Sequence, residues 1–268
     1  RSGSEVQTTV SAREGAGYLA RAAHWESERE IDDFTFPAMF ARRAKHYKEK
    51  YGVTDEDIAH VTVKAYENAS KNPYAHMRAV DMSLENAANA GENNPRFLKN
   101  PELKPHLKVS DCSQVSDGAA AVVLATEEGL EKLGVDKSDT VEIVGYTHST
   151  SPLGDVDDYT VLGNTQETAT ELYSETETSP DDVDVAEVHD CFAVTELLMY
   201  EALGWAEPGK GKDLARNGAT RIDGEIPVNT GGGLLAFGHP VGATGVKQVL
   251  EIYRQMKGEC GDYQLPEI

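Results

Sequence analysis

Apolar positions recur at helical spacing in several stretches of the chain. Phe36, Phe40, Ala44 and Tyr47 form one stripe, predicting a helix over 34–51 with Pro37 in its first turn and Gly52 as its stop. Thr54 followed by Asp57 reads as a capping box, and Ile58, Val61, Ala65 and Ala69 continue as a second helix until Lys71-Asn72-Pro73-Tyr74 breaks the pattern. Thr126 is placed to cap a helix over 127–133, stopped by Gly134. Further helices are expected over 165–173 and over 192–203, the latter ending at Gly204. Val246, Val249, Leu250, Tyr253 and Met256 give a last apolar face, with Arg254 and Lys257 in the final turn and Gly258 beyond it.

Other segments read as strands. Residues 141–146 and 183–188 alternate apolar and polar, 109–115 is strand-like, and 119–124 reads as a buried strand or the start of a helix. Asp117-Gly118 makes a turn between the last two. Strands alternating with helices predict an α/β fold. Residues 72–108 are rich in Asn and Pro, with poor periodicity. Such a stretch is either a functional loop or a surface connection. The first 20 or so residues are small and polar, and Ser11-Ala12-Arg13-Glu14-Gly15 reads as an exposed loop.

Candidate chemistry concentrates in residues 229–245, which hold six glycines, with Leu234, Leu235 and Phe237 interleaved among them. Glycine lets the backbone pack close to a ligand, so the run, Gly233 and Gly238 included, reads as a tight ligand-facing loop. His239 lies between Gly238 and Pro240 and feeds a helix N-terminus, where N–H groups can hold an anion. It is suited to act as a general base or an oxyanion donor. His189 closes the 183–188 strand, the end at which α/β folds place ligand sites. Asp190 is placed to cap the helix that follows. Cys191 reads as a small buried residue there. Ser113 and Ser116 are suited either to bonding a ligand amide or to a turn.

These blocks resemble a known family. Gly238-His239-Pro240 in its glycine-rich loop, followed by Gly242-Ala243-Thr244-Gly245, resembles the histidine motif of the thiolases, which make or cleave 3-ketoacyl-CoA thioesters. Val188-His189-Asp190-Cys191-Phe192 resembles the block of sterol carrier protein-type thiolases, where most other thiolases carry Asn-Glu-Ala-Phe. Residues 111–121 are similar to the family's Ser-x-x-x-Asp-Gly-Ala-Ala segment. The resemblance, nearest to the sterol carrier protein-type and archaeal enzymes, implies a layered αβαβα fold, incomplete in this chain. It divides the chain into a mostly helical loop (cap) domain over 1–108, the last strand and helix of the N-terminal half over 109–138, and the C-terminal half over 139–268.

By the same resemblance, His239 activates a nucleophilic cysteine and helps hold the thioester oxygen. His189 positions a water in the oxyanion hole, Ser113 contacts the pantetheine of coenzyme A, and Gly233 and Gly238 belong to the binding loop. The implied reaction is acyl transfer through an acyl-cysteine, then thiolysis or Claisen condensation, on a coenzyme A thioester and with no metal or tightly bound cofactor. The expected enzyme is an acetyl-CoA C-acetyltransferase or 3-ketoacyl-CoA thiolase, a homodimer or tetramer. Some archaeal relatives add a small OB-fold partner. The sequence departs from the family in its cysteines. Neither the Cys-x-Ser nucleophile segment nor the Cys-x-Gly segment is present, so the chain is expected to be a fragment lacking both and inactive alone. The alternatives are a non-catalytic homologue that binds CoA or a partner protein, and a ketoacyl synthase-type enzyme, which the His-Asp-Cys-Phe block disfavours.

Charge and cysteine usage narrow the classes further. With 46 acidic against 25 basic residues the net charge is -21, which argues against nucleic acid and fits adaptation to high salt. Cys112, Cys191 and Cys260 are too scattered for a disulfide framework, and Cys260 falls in a polar tail. No apolar run is long enough to span a membrane and no secretory signal is visible, so a cytoplasmic setting is expected.

Overall fold

The computed structural model describes residues 21–268 apart from 22, 25, 27, 153, 155 and 267. The loop expected at 11–15 lies outside the described residues. Eight α-helices are described: α1 (Thr35–Tyr51), α2 (Asp55–Lys71), α3 (Leu84–Ala88), α4 (Glu127–Leu133), α5 (Gly163–Thr176), α6 (Ala193–Ala202), α7 (Gly211–Asn217) and α8 (Thr244–Met256). No helix among the described residues is long and apolar enough to cross a membrane.

Local chemistry accounts for the helix ends. Gly52 and Gly134 close α1 and α4 in the left-handed conformation. Thr54 and Asp57 complete a reciprocal capping box at the start of α2: the Asp57 amide donates to Thr54 Oγ1 at 3.2 Å, and the Thr54 amide donates to Asp57 Oδ2 at 2.7 Å. Ile58, Val61, Ala65 and Ala69 are all buried, so α2 runs through the core with α6 packed against it. On α1 the buried stripe is Ala38, Ala41, Ala44 and Tyr47, while Phe36 and Phe40 flank it and pack on Phe192. Residues 72–108 contribute Ala75, Ala87, Leu98, Leu103 and Leu107 to the buried core, so they are more than a surface connection.

The expected strands are corrected. Among the described residues the β structure consists of isolated bridges, Cys112 with Phe192, Val115 with His239 and Ala186 with Val228. The 109–115 strand is replaced by a 3-10 turn at Val109–Asp111, wound by the Asp111 carboxylate, which accepts from the Lys108 amide at 2.8 Å and from its ammonium at 2.9 Å. Residues 119–124 are not buried: Val123 is 90% exposed and Leu124 72%. Residues 141–146 are non-helical, and Tyr146 is 82% exposed. Alternation prepares a segment for a sheet, but a ladder also needs a neighbouring strand to bond, and among the described residues neither 119–124 nor 141–146 is bridged to one.

Helix α8 is also inverted relative to its apolar stripe. Val246, Val249 and Met256 are exposed, whereas Thr244, Lys247, Glu251 and Gln255 are buried. Each buried position follows the last by three or four residues, so one polar face of α8 points inward. That face lies against the glycine-rich loop.

Candidate functional site

Two elements anchor the glycine-rich loop before it reaches His239. Asn229 opens it in the left-handed conformation (φ 56°), which Asn tolerates. From α2, Asn68 Nδ2 donates to Asn229 O at 3.1 Å and Asn72 Nδ2 donates to Gly231 O at 3.0 Å. From α8, Gln255 Nε2 donates to Thr230 Oγ1 at 2.9 Å. A single π-helical turn, Gly233–Phe237, follows and delivers the chain to Gly238 and His239.

Asp190 does not cap α6 as expected. Phe192 is the residue before the helix, with no side-chain cap. The Asp190 carboxylate turns instead to the loop and accepts from the Leu234 amide at 2.7 Å. Gly233 has φ +59°, and a Cβ there would fall 2.2 Å from Asp190 Oδ2. The glycine therefore makes room for the carboxylate, and Gly233 faces Asp190. Burial, with Glu196 adding to it, raises the Asp190 pKa well above the usual carboxylate range.

The three sequence blocks meet here. The segment 112–116 runs between the other two, bridged to Phe192 at Cys112 and to His239 at Val115. The Ser113 amide donates to Cys191 O at 2.9 Å. Gly118 lies against Pro240, with room for a Cβ only at 3.0 Å from the ring. The rings of His189 and His239 stand 5.0 Å apart at 84°, edge to face. Structure thus brings together His189, His239, Gly238 and the Ser113 segment, residues up to 126 positions apart in the chain (239 less 113).

A hydrogen bond to Thr244 orients the His239 ring. Its Nδ1 lies 2.7 Å from Thr244 Oγ1, and that hydroxyl donates to Pro240 O at 3.2 Å. A threonine hydroxyl has one proton. With it on Pro240 O, Thr244 accepts from Nδ1–H, which assigns the Nδ1–H tautomer and leaves a lone pair on Nε2. Burial, with His189 adding to it, lowers the His239 pKa to about 4, so the ring is neutral near pH 7. A neutral imidazole with a bare Nε2 can take a proton and then donate it to a developing oxyanion. His189 keeps an open side toward solvent, while crowding on its other side holds its pKa below the ordinary value.

Lys247 ties both arms of the site. Its ammonium lies 3.4 Å from Glu187 Oε2 and 4.3 Å from the Phe237 ring centre. Glu187, two residues before His189, has its pKa pushed up to about 7 by burial despite that lysine. Thr244 stands inside the quoted Gly-Ala-Thr-Gly block, yet its spacing alone assigned it no role; its bond to an imidazole five residues away shows only in three dimensions.

None of the three thiols is prepared as a nucleophile. Burial raises the Cys191 pKa to about 12 and that of Cys260 to about 11, and holds Cys112 well above its ordinary value. Cys260, expected in a polar tail, is buried beside Tyr263 because the chain after α8 folds back on Gln255, which bonds Tyr263 O at 2.9 Å.

Residues 145–268 match the family model described as thiolase C-terminal domain-like. The chain is 36% identical over 263 residues to an acetyl-CoA acetyltransferase of Methanothermobacter thermautotrophicus, covering 98% of this chain and 65% of that protein. It is 36% identical over 230 residues to the benzoylsuccinyl-CoA thiolase subunit BbsB of Thauera aromatica, covering 85% of this chain and 56% of that protein. A solved structure titled Ltp2-ChsH2(DUF35) aldolase superposes with a TM-score of 0.65 at 24% identity, over 88% of this chain and 59% of that one. The chain thus spans about half to two thirds of the length of these relatives. The likeness in structure places the described helices and bridges in the layered α/β class expected from the sequence.

Proposed function

The chain belongs to the thiolase family, and on that premise we propose that it supplies the two histidines of an acyl-CoA thiolase site. The proposed substrate is a coenzyme A thioester, in the reaction of an acetyl-CoA C-acetyltransferase or 3-ketoacyl-CoA thiolase. His239 Nε2 takes the proton of a thiol. The thiolate attacks the thioester carbonyl, and the new oxyanion accepts from Nε2–H and from a water held by His189. Collapse expels CoA as a thiolate, which recovers the proton from His239 and leaves an acyl-cysteine. A second acceptor then takes the acyl group. The observation that carries this reading is the Thr244 bond, which leaves Nε2 free beside His189.

The nucleophile in this proposal is none of Cys112, Cys191 or Cys260, because burial holds all three as thiols. Ser113 is proposed to contact the pantetheine arm, and Gly238 to let it approach. A cytoplasmic homo-oligomer with a small OB-fold partner follows the resemblance, and the word subunit in the Thauera relative's name agrees with an assembly. The test is acetoacetyl-CoA thiolysis by the whole protein. His239→Ala is expected to lower kcat by ~10²–10⁴-fold. Near-normal turnover in that variant overturns the proposal, and acylation of Cys112, Cys191 or Cys260 in a mass-spectrometric trap overturns the choice of nucleophile. Binding of CoA by a wild-type protein without turnover favours the non-catalytic homologue.

A further inference from the structure

One imidazole beside the site belongs to none of the three blocks. We propose that His76 is a positioning residue, which holds Ser116 and through it the backbone of His239. The segment carrying His76 is fastened to the end of the π-turn: the His76 amide donates to Phe237 O and the Met77 amide to Ala236 O, each at 3.0 Å. The two residues therefore run alongside the last turn before Gly238. From there His76 Nδ1 reaches to 3.1 Å from Ser116 Oγ.

Ser116 is buried, and its hydroxyl is fully used. Its oxygen accepts from the His239 amide at 3.2 Å, and its proton goes to Gln114 O at 3.1 Å. A hydroxyl has one proton and two acceptor positions. With the proton on Gln114 O and one acceptor position on the His239 amide, the remaining position takes His76 Nδ1–H. The accounting assigns the Nδ1–H tautomer to His76 and leaves its Nε2 as an acceptor at the exposed rim.

Gly238 supplies independent geometry. It sits where the three segments cross, with φ +129°. A Cβ there would fall 2.8 Å from Ser116 Oγ and 3.1 Å from His76 Nδ1. Any side chain at 238 would push the serine and the histidine apart. The absence of a Cβ beside the reactive loop thus has a partner 162 positions earlier in the chain (238 less 76). An exposed imidazole with one stray hydrogen bond would need neither the two backbone bonds that fix it nor a glycine to admit it.

The inference rests on the thiolase reading only for its activity arm. On the protein labelled with ¹⁵N-histidine, the ring shifts of His76 are expected to report Nδ1–H at neutral pH. Amide exchange of His239 is expected to quicken about 10-fold in Ser116→Ala and in His76→Ala, the worth of one ordinary hydrogen bond. His76→Asn places an amide N–H where Nδ1–H stood and is expected to restore the wild-type rate. Thiolysis should follow the same order, with kcat falling toward the ~100-fold that a 1 Å misplacement costs and KM little changed. An Nε2–H tautomer, or unchanged His239 exchange in folded His76→Ala, overturns the proposal. If His76→Ala does not fold, the tautomer and Ser116→Ala decide it. Absence of thiolysis in the whole wild-type protein would sink the acyl-transfer reading and leave the two magnetic-resonance arms standing.

Discussion

Lys64 is the residue whose loss should do most damage away from the site. Its side chain is 4% exposed, and that of its partner Glu196 is 0% exposed. Beyond that ion pair, the ammonium donates to Val228 O at 3.0 Å and to Tyr200 Oη at 3.2 Å, so all three of its protons are used. Glu196 in turn accepts from Asn229 Nδ2 at 2.8 Å, and Asn229 Oδ1 accepts from the Val188 amide at 2.9 Å. One buried network thus runs from α2 through α6 to both arms of the histidine pair. Lys64→Met keeps the volume and removes the charge, leaving a buried carboxylate without its cation. Breaking such a pair costs ~3–5 kcal/mol, against a total stability of ~5–15 kcal/mol for an ordinary domain. Glu196→Gln alone strands the lysine and should cost a similar amount. The double variant removes both charges and keeps an acceptor for Asn229. Its loss should shrink to the ~1–3 kcal/mol of an unsatisfied Val228 carbonyl. The assay is urea unfolding followed by fluorescence and far-ultraviolet dichroism, with the slope checked for constancy. A cost below ~1 kcal/mol for Lys64→Met, or a double variant less stable than either single one, refutes the reasoning.

Three further outcomes follow from local geometry and charge. Gly233→Ala forces a Cβ onto Asp190 in a left-handed backbone, so it should lower stability by at least ~2 kcal/mol; Gly245→Ala, in the open first turn of α8, should be neutral or stabilise by up to ~1 kcal/mol, and equal effects in urea unfolding would contradict the packing argument. Because the folded pKa of His239 is lowered to about 4 from ~6.5 when unfolded, the unfolded chain binds a proton in that window that the fold refuses. Stability relative to His239→Gln should therefore rise with pH from about 4 to ~6.5 and then level off; a flat difference across that window would count against a neutral, desolvated ring. With a net charge of -21, the melting temperature should rise as salt shortens the Debye length from ~10 Å at 0.1 M to ~3 Å at 1 M; a flat or falling curve would remove the case for high-salt adaptation.

Helix ends were legible because their causes are local. The Thr54–Asp57 box, the Thr126 cap and the left-handed Gly52 and Gly134 each act within a few residues: α1 ends, α2 begins, and α4 both begins and ends where those signals stand. The short helices α3 and α7, of five and seven residues, have too few turns to show a period. Strands were misread because alternation in 141–146 records a preference for a sheet, while the ladder depends on another segment. The inward face of α8 was misread for a related reason. Hydrophobicity pointed to Val246, Val249 and Met256, but the glycine-rich loop presents polar atoms that Thr244 and Gln255 bond, and Lys247 reaches the Glu187 carboxylate beside it. At the site, His189 and His239 stood out through their blocks. His76 lies in a stretch without periodicity, and no spacing links it to Ser116.

The polar side chains that sequence patterning undervalued also explain how a glycine-rich loop can hold a reactive histidine still. Fixing one residue's backbone costs ~1–2 kcal/mol, and glycine loses the most freedom of all. Six glycines in residues 229–245 make that stretch expensive to order. Apolar burial alone cannot restrain it, because glycine brings no side chain to bury. The restraint comes instead from side chains bonding to the loop's backbone: Asn68 to Asn229 O, Asn72 to Gly231 O, Asp190 to the Leu234 amide and Ser116 to the His239 amide. Three of these four contacts come from buried Asn or Asp residues, where an unmade bond would leave a polar group desolvated at ~1–3 kcal/mol. Each anchor is therefore hard to release singly, and the loop moves only if several let go together. That cooperativity keeps His239 Nε2 aimed at one place before any ligand arrives, which is the condition under which a proton acceptor contributes most to a reaction.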